Sequence, residues 1–213
     1  MNATAVLPVK RFGDAKQRLA SGIDSDRRRE LAGAMVADVL EAIGEARAID
    51  RLIVVTGDPI AQELAAEAGA EVIPDPGDAG HVQAVLAGIA RAEVEGEDTV
   101  VLLPGDCPLL DPQELDRLLT GVPERYVTIV PDRHGTGTNA LVLRPPSAIV
   151  PAFGEGSRER HVEAARAAGI PFGVEELASL GLDLDTPADV VALTTKLMSQ
   201  PGRARRTARA LGI

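Results

Sequence analysis

Aromatic residues and cysteine are rare in this sequence. Aromatic side chains make up 2% of its 213 residues, and there is no tryptophan. Base stacking on exposed aromatic rings, on which single-strand nucleic-acid binders usually rely, is therefore nearly excluded. The one cysteine, Cys107, cannot form a disulfide within the chain, which favours a reducing cytoplasm.

The sequence also lacks long apolar runs and an excess of basic residues. No uninterrupted apolar stretch approaches the roughly 20 residues of a membrane-spanning helix, and residues 1–8 show no signal-peptide pattern. The net charge of −10 argues against general nucleic-acid binding. The three histidines and the cysteine have no zinc-ligand spacing. We therefore expect a cytoplasmic protein that binds neither nucleic acid nor membranes. A small phosphorylated ligand stays compatible, because it needs only a local cluster of Lys and Arg.

Short apolar runs alternate with helical patterns in the first half of the chain. Apolar residues spaced four apart from Leu31 to Ile43 predict the buried face of a long helix. The alternation predicts an α/β fold with a mostly parallel sheet, and two later strands predict a smaller antiparallel part. The segment that joins those two strands is either a long hairpin or a loop between sheet segments. The predicted strands are 3–8, 51–56, 71–74, 99–103, 126–131, 138–143 and 172–174, and the predicted helices are 25–46, 59–68, 82–95, 112–119, 158–168 and 187–198.

No linker-like composition, internal repeat or low-complexity segment divides the chain. We therefore expect a single domain over residues 1–200. A basic tail, 201–213, follows it and contains Arg203, Arg205, Arg206 and Arg209. Such a run is typical of a solvated terminal extension, and a functional basic arm is the alternative.

The apolar run 100–103 stops abruptly at Pro-Gly-Asp. This pattern predicts a buried strand that places Asp106 at the open end of the sheet. A carboxylate there suits Mg²⁺, which usually arrives with phosphates. An ordinary turn is the alternative, because Gly and Asp are common turn residues.

Four cations follow the first predicted strand within a short segment: Lys10, Arg11, Lys16 and Arg18. In an open α/β sheet the loop after the first strand borders the ligand crevice, so the cluster suggests a polyphosphate. Neither a Walker loop nor a dinucleotide fingerprint is present. A solvated basic loop is the alternative interpretation.

Two glycine-rich segments also carry polar side chains. The first contains Arg133, His134, Thr136, Thr138 and Asn139, whose donors suit phosphate oxygens; a flexible hairpin tip is the alternative. The second contains Gly154, Gly156 and Ser157 directly before a predicted helix and is followed by Arg158, Arg160 and His161. A helix N-terminus of this kind favours an anion, although Ser157 is also a common type of helix cap.

Asp183 and Asp185 end a short predicted strand ahead of Pro187. They fit the second half of a metal site, and Asp185 fits a plain helix cap almost equally well. No histidine accompanies a Ser or Cys pattern of the hydrolase type, so no catalytic triad is indicated. Cys107 is expected to be packed rather than nucleophilic.

Together these motifs resemble the guanylyltransferases of coenzyme F420 biosynthesis, which act on 2-phospho-L-lactate or phosphoenolpyruvate. The matching stretches run from end to end, apart from the basic tail: LPVK at 7–10, AK and RL at 15–16 and 18–19, LPGDCPL at 103–109, DRHGTGTN at 132–139, FG and GS at 153–154 and 156–157, RH at 160–161, and D-x-DTP at 183–187. The resemblance implies a three-layer, Rossmann-like fold of the nucleotide-diphospho-sugar-transferase type. It also makes a homodimer plausible.

The resemblance implies that GMP from GTP is joined to the acid, which with phosphoenolpyruvate gives enolpyruvoyl-diphospho-guanosine and pyrophosphate. An Ala- and Arg-rich composition is typical of high-GC bacteria, for which the resemblance implies the phosphoenolpyruvate branch of the family. The alternatives are the same reaction on 2-phospho-L-lactate, a molybdopterin or sugar-phosphate nucleotidyltransferase, and a non-catalytic nucleotide-binding module. Because the phosphate of the acid is already an anion, the reaction needs positioning and charge stabilisation rather than a general base.

The resemblance assigns roles to the motif residues. Thr138, Gly154 and Ser157 would bind the acid, and Asp106, Asp183 and Asp185 would hold Mg²⁺. We expect catalytic cations and further substrate contacts as well: Lys10, Lys16 and Arg18 on the triphosphate, and Arg133, His134, Thr136, Asn139, Arg160 and His161 on the substrates. One departure concerns the nucleotide, because Val82 stands where the family usually has Asn.

Overall fold

The computed structural model describes residues 3–14, 16, 19, 23–75 and 80–213. Its strands and helices, in chain order, are β1 (Ala3–Val9), α1 (Ser25–Glu45), β2 (Arg51–Thr56), α2 (Pro59–Glu67), β3 (Glu71–Pro74), α3 (His81–Val94), β4 (Thr99–Leu102), α4 (Pro112–Leu119), β5 (Tyr126–Pro131), β6 (Thr138–Arg144), α5 (Ser157–Ala167), β7 (Phe172–Val174), α6 (Pro187–Ser199) and α7 (Arg205–Ala210). A 3₁₀ turn, Phe12–Asp14, follows β1.

The strands form one seven-stranded sheet in the order β3-β2-β1-β4-β6-β5-β7. All neighbouring pairs run parallel except those of β6, which is antiparallel to both β4 and β5. The predicted α/β class with a smaller antiparallel part is therefore confirmed, and 132–137 is the connection of a β5–β6 hairpin. No helix in the described part of the chain has both the length and the apolar character that a membrane crossing requires.

The central strands are buried on both faces, which explains their continuous apolar runs. Ala5 and Leu7 of β1 pack into the cluster that contains α1, whereas Val6 points to the opposite cluster with α3 and α5. Gly88 lets α3 lie close to β1, since a Cβ there would fall 2.3 Å from Val6 Cγ1. Core volume thus comes from close packing of Ala, Val, Leu and Ile rather than from aromatic rings.

Strand β1 lies between β2 and β4, where the chain switches from one half of the sheet to the other. In open α/β sheets the ligand crevice lies at the carboxyl ends of the strands at such a switch point. The loops after Val9 and Leu102 both leave the sheet there. The fold therefore places the basic loop and Asp106 beside the same crevice.

The C-terminal segment is not a solvated extension, and that expectation is wrong. Helix α7 packs on α1, and the carboxylate of Asp38 accepts hydrogen bonds from the backbone N–H groups of Arg206 (3.2 Å) and Thr207 (2.7 Å). The first N–H groups of a helix have no partner within the helix, so Asp38 caps α7 from another helix. Arg203 also donates to Asp111 at 2.6 Å, which ties the segment to the start of α4.

We expect Asp38→Ala to lower the free energy of unfolding by about 1–2 kcal/mol, because it removes a helix cap and leaves buried N–H groups unpaired. The matched control is Glu41→Ala, one helical turn away. Glu41 pairs with Arg205 and Arg206 at the surface, where an ion pair contributes about 0–1 kcal/mol. Urea unfolding of both variants measures the difference. Equal effects of the two substitutions would show that Asp38 does not act as a cap.

Candidate functional site

A buried lysine joins two carboxylates at the crevice. The Lys16 ammonium donates to Asp106 Oδ2 at 2.5 Å and to Asp185 Oδ1 at 2.9 Å, and the lysine side chain is 8% exposed. Burial alone would lower the pKa of Lys16, but attraction by both carboxylates and their hydrogen bonds raise it above its ordinary value. The ammonium therefore stays charged. It connects the loop after β1 to the loop after β4 and to the segment before α6.

The backbone of Lys16 has a φ of 58°, in the left-handed region that non-glycine residues rarely adopt. Such a conformation costs about 1–3 kcal/mol and persists only where surrounding contacts hold it. The two ion pairs supply those contacts. No sequence pattern indicates this backbone conformation at Lys16.

Asp183 lies within electrostatic reach of the same centre. Burial, followed by repulsion from Asp106 and from Asp185, raises the pKa of Asp183. The side-chain amide of Asn139 donates to Asp183 Oδ1 at 3.4 Å and to Leu180 O at 2.6 Å. Asn139 therefore holds the Asp183 segment against β6. A contact between Asn139 and substrate stays a prediction.

The three aspartates bear on the expected magnesium ion. Carboxylate oxygens are the ligands that Mg²⁺ prefers, and the effect of its neighbours on Asp183 shows a local excess of negative charge that favours a cation. Within the described residues, however, no three His, Cys, Asp or Glu side chains are grouped so that they could hold a metal ion. The chemistry of the donor set fits Mg²⁺, while the arrangement as it stands has the Lys16 ammonium between Asp106 and Asp185.

Thr138 and His161 form a buried pair at the start of β6. His161 Nε2 accepts a hydrogen bond from the backbone N–H of Ala152 at 2.9 Å, so the ring proton belongs on Nδ1, which lies 3.0 Å from Thr138 Oγ1. Burial, and then the nearby Arg160 charge, lower the pKa of His161 to about 4. A neutral His161 therefore donates to Thr138, whose own O–H is left to donate elsewhere.

His161 itself is 0% exposed, and both of its ring nitrogens have partners in the protein. The expectation that His161 contacts substrate directly is therefore wrong. A sequence pattern cannot separate a ligand-facing histidine from one that lies beneath the ligand-facing residue. His161 instead orients Thr138.

The loop 152–156 enters α5 through two glycines with positive φ, Gly154 at 108° and Gly156 at 70°. The guanidinium of Arg160 donates to the carbonyls of Ala152 and Phe153 and thereby fastens this loop. Arg160 is thus engaged with backbone, and its predicted substrate contact stays a prediction. Ser157, the first residue of α5, is 1% exposed, and its Oγ has no hydrogen-bond partner among the described residues.

The β5–β6 connection carries three of the predicted substrate residues, Arg133, His134 and Thr136, on its exposed side. The carboxylate of Asp132 accepts from the backbone N–H groups of His134 and Thr136, which fixes the turn. Arg133 forms an ion pair with Asp189, so its guanidinium already has a partner. The sequence did not indicate Asp189.

The remaining predictions concern two cations after β1, Lys10 and Arg18, and the single cysteine, Cys107. Lys10 is exposed at the end of β1, and Arg18 lies outside the described residues. Cys107 is 1% exposed, and its thiol donates to Leu180 O at 3.6 Å. Burial raises the pKa of Cys107 well above its ordinary value, and the expectation of a packed thiol is confirmed.

His81 is a residue of this region that sequence reasoning missed. It begins α3, and its ring meets Phe153 edge-on with centroids 5.1 Å apart, while Phe153 meets His161 at 5.2 Å. Burial and the charge of Lys10 lower the pKa of His81, against the opposing effect of Asp106. His81 therefore lies close both to the loop ahead of α5 and to the charged residues Lys10 and Asp106. Its place directly after Gly80, next to Val82, was the available signal.

The chain is similar to known proteins along nearly its whole length. A family model described as "Guanylyl transferase CofC like" matches residues 3–211. A phosphoenolpyruvate guanylyltransferase of Conexibacter woesei is 46% identical over 210 residues, with 97% of this chain and 94% of that protein covered. A 3-phospho-D-glycerate guanylyltransferase of Phenylobacterium zucineum is 38% identical, with 89% and 88% covered. A solved structure from Desulfovibrio desulfuricans, described as a nucleotide-diphospho-sugar transferase, has a TM-score of 0.78 at 19% identity, with 99% and 94% covered, which confirms the expected fold.

The neutral state of His161 predicts a pH dependence of stability. An unfolded histidine has a pKa near 6.5, whereas His161 in the folded protein has a pKa of about 4, so the unfolded chain binds more protons between these values. The stabilisation is complete above pH ~6.5 and is lost as pH falls toward 4, by about 3 kcal/mol in total. We expect the unfolding free energy of His161→Asn to fall less over this window than that of the wild type. Parallel pH profiles for the two proteins would contradict the assignment.

Proposed function

Because the chain belongs to the family of CofC-like guanylyl transferases, we propose that it transfers GMP from GTP to phosphoenolpyruvate and releases pyrophosphate. The observation that carries this proposal is the Lys16 bridge between Asp106 and Asp185 at the switch point of the sheet. Such a centre places positive and negative charge where two phosphorylated substrates would meet. The name of the Conexibacter relative supports phosphoenolpyruvate as the acid.

The proposed reaction needs no protein nucleophile. A phosphate oxygen of the acid attacks the α-phosphorus of GTP, a new phosphorus–oxygen bond forms, and the bond to the β-phosphate breaks as pyrophosphate leaves. The attacking oxygen is anionic at neutral pH, so no proton has to be removed. The buried, protonated Cys107 and the neutral His161 agree with a mechanism that uses neither residue as a nucleophile.

The cations after β1 would neutralise the triphosphate. Lys16 stays charged because two carboxylates hold it, and it can transfer one of its hydrogen bonds to a phosphate oxygen without losing both partners. Lys10 is exposed at the crevice, where a triphosphate would find it, and Arg18 would add a third charge. Fixed cations aimed at the leaving group are the usual source of rate enhancement in such transfers.

Asp106, Asp183 and Asp185 would hold the magnesium ion. When bound, Mg²⁺ supplies positive charge to the α-phosphate and to the departing pyrophosphate. The chain's own contribution is to hold these carboxylates in place. Lys16 does so for Asp106 and Asp185 through its ion pairs, and Asn139 does so for Asp183 through a hydrogen bond.

The acid would bind between the start of β6 and the start of α5. The Thr138 hydroxyl accepts from His161 and can therefore donate to a phosphate or carboxylate oxygen. The unpartnered Ser157 Oγ lies at the N-terminus of α5, where the helix dipole favours an anion. Gly154 leaves space for close approach of the acid to the backbone.

We expect GTP with phosphoenolpyruvate to release pyrophosphate at a higher kcat/KM than GTP with 2-phospho-L-lactate or with 3-phospho-D-glycerate. The three acids share a phosphate and a carboxylate, so binding of the wrong acid will be weakened rather than abolished. A coupled pyrophosphatase assay with each acid measures the ranking. Faster turnover of either alternative acid would reassign the substrate, and no release with any of them would contradict the proposed function.

We expect Asp106→Asn to lower kcat by at least about 100-fold, because it removes one of the two carboxylates that hold Lys16 and one of the proposed metal ligands. Asp98→Asn is the matched control, since Asp98 is exposed and precedes β4 at its amino end, whereas Asp106 follows it at the carboxyl end. The control should keep full activity. Near-normal pyrophosphate release by Asp106→Asn would contradict the role of this centre.

A further inference from the structure

A buried carboxylate in the first turn of α6 contacts both halves of the site. Asp189 is 5% exposed, and its Oδ2 accepts hydrogen bonds from the backbone N–H groups of Asp185 (3.0 Å) and Thr186 (2.6 Å) and from Thr186 Oγ1 (2.9 Å). Its Oδ1 forms the ion pair with Arg133. Each carboxylate oxygen therefore faces a different partner segment.

One of these segments belongs to the charged centre. Asp189 holds the backbone of Asp185, and the side chain of Asp185 receives the Lys16 ammonium at 2.9 Å. A shift of Asp189 would therefore move a carboxylate that holds Lys16. This contact therefore leads toward Lys16 and the part of the crevice where the triphosphate of GTP would bind.

The other segment leads toward the proposed acid site. Arg133 lies on the β5–β6 connection, whose Gly135 and Thr136 carbonyls accept hydrogen bonds from the Arg158 guanidinium at 3.1 Å and from the Arg158 backbone N–H at 3.2 Å. Arg158 directly follows Ser157 at the start of α5. The Arg133 contact thus connects Asp189, through one loop, to the helix end at which the acid would bind.

Helix capping alone does not account for this arrangement. The Thr186 side chain already caps α6 and accepts from the Asp189 backbone, and Asp189 completes the capping box through one oxygen. The ion pair with Arg133 uses the second oxygen and adds nothing to the cap. It does tie α6 to the β5–β6 connection.

We propose that Asp189 is a positioning residue that fixes the distance between the Lys16–Asp185 centre and the β5–β6 connection beside the proposed acid site. This inference rests on the proposed function, since it assigns the two sides to two substrates. Residues that orient the groups in contact with ligand typically contribute on the order of ten- to a hundredfold to activity. The contribution of Asp189 is expected to appear in kcat, because misalignment of two bound substrates slows their reaction more than it weakens their binding.

A double-mutant cycle tests the proposal. Asp189→Asn, Arg133→Gln and the double variant are compared with the wild type for pyrophosphate release from GTP and phosphoenolpyruvate, and for urea unfolding. We expect each single substitution to lower kcat on the order of tenfold or more, with KM for GTP changed less than about threefold, and the double variant to be no slower than the slower single variant. Arg133→Lys, which keeps the charge, should recover part of the lost kcat. Arg133 lies on an exposed loop, so its variants keep the test open if Asp189→Asn does not fold.

The matched control is a second ion pair at the first turn of a helix. Asp111 caps α4 and pairs with Arg203 at 2.6 Å. Asp111→Asn and Arg203→Gln should change unfolding by amounts similar to the Asp189 and Arg133 variants while kcat stays within about twofold of wild type.

Three results would overturn the positioning role: single effects on kcat that multiply in the double variant, a loss of activity that follows only the unfolded fraction, or an equal loss of kcat in the control pair. Wild-type activity separates this failure from failure of the proposed function. An inactive wild type would reject both, whereas an active wild type with independent variants would reject the positioning role alone.

Discussion

The site depends on one buried ammonium between two carboxylates. Lys16 comes from the loop after β1, Asp106 from the loop after β4, and Asp185 from the segment before α6. These segments are remote in sequence, and the ion pairs connect them at the crevice, together with a backbone hydrogen bond from the Leu184 N–H to the Asp106 carbonyl at 3.2 Å. Removing one member of a buried pair leaves an uncompensated charge and typically costs about 3–5 kcal/mol. The same two ion pairs hold the backbone of Lys16 in its left-handed conformation.

A second layer of contacts surrounds this centre and holds each group in a defined state. His161 stays neutral beneath Thr138, Asn139 holds the Asp183 segment, and Arg160 fastens the loop ahead of α5. These residues were expected to touch substrate from their place in motifs. The structure gives them partners within the protein, through which they orient residues that can reach a ligand, while substrate contacts of Asn139 and Arg160 stay predictions.

Most of the fold follows from local patterns that the sequence displays. The bounds of β2, β3, α4, β5 and β7 agree with prediction because apolar runs, turn residues and Asp caps are all local signals. The sequence patterns did not predict helix α7, because its cap, Asp38, lies on α1 and no residue next to α7 in the sequence indicates a helix start. The same limit applies to the candidate site. Motifs indicated Asp106 and Lys16, but the pairing of Arg133 with Asp189 and the burial of His161 arise from tertiary contacts.

The central claim is that this centre brings a phosphate oxygen of the acid to the α-phosphorus of GTP. Phosphoenolpyruvate labelled with ¹⁸O in the non-bridging oxygens of its phosphate tests it directly, with ³¹P NMR of the products. The account predicts that all of the label stays in the diphosphate-linked product, with one labelled oxygen in the bridge, and that the released pyrophosphate is unlabelled. Label in pyrophosphate, or GDP and phosphate as the products, would contradict it.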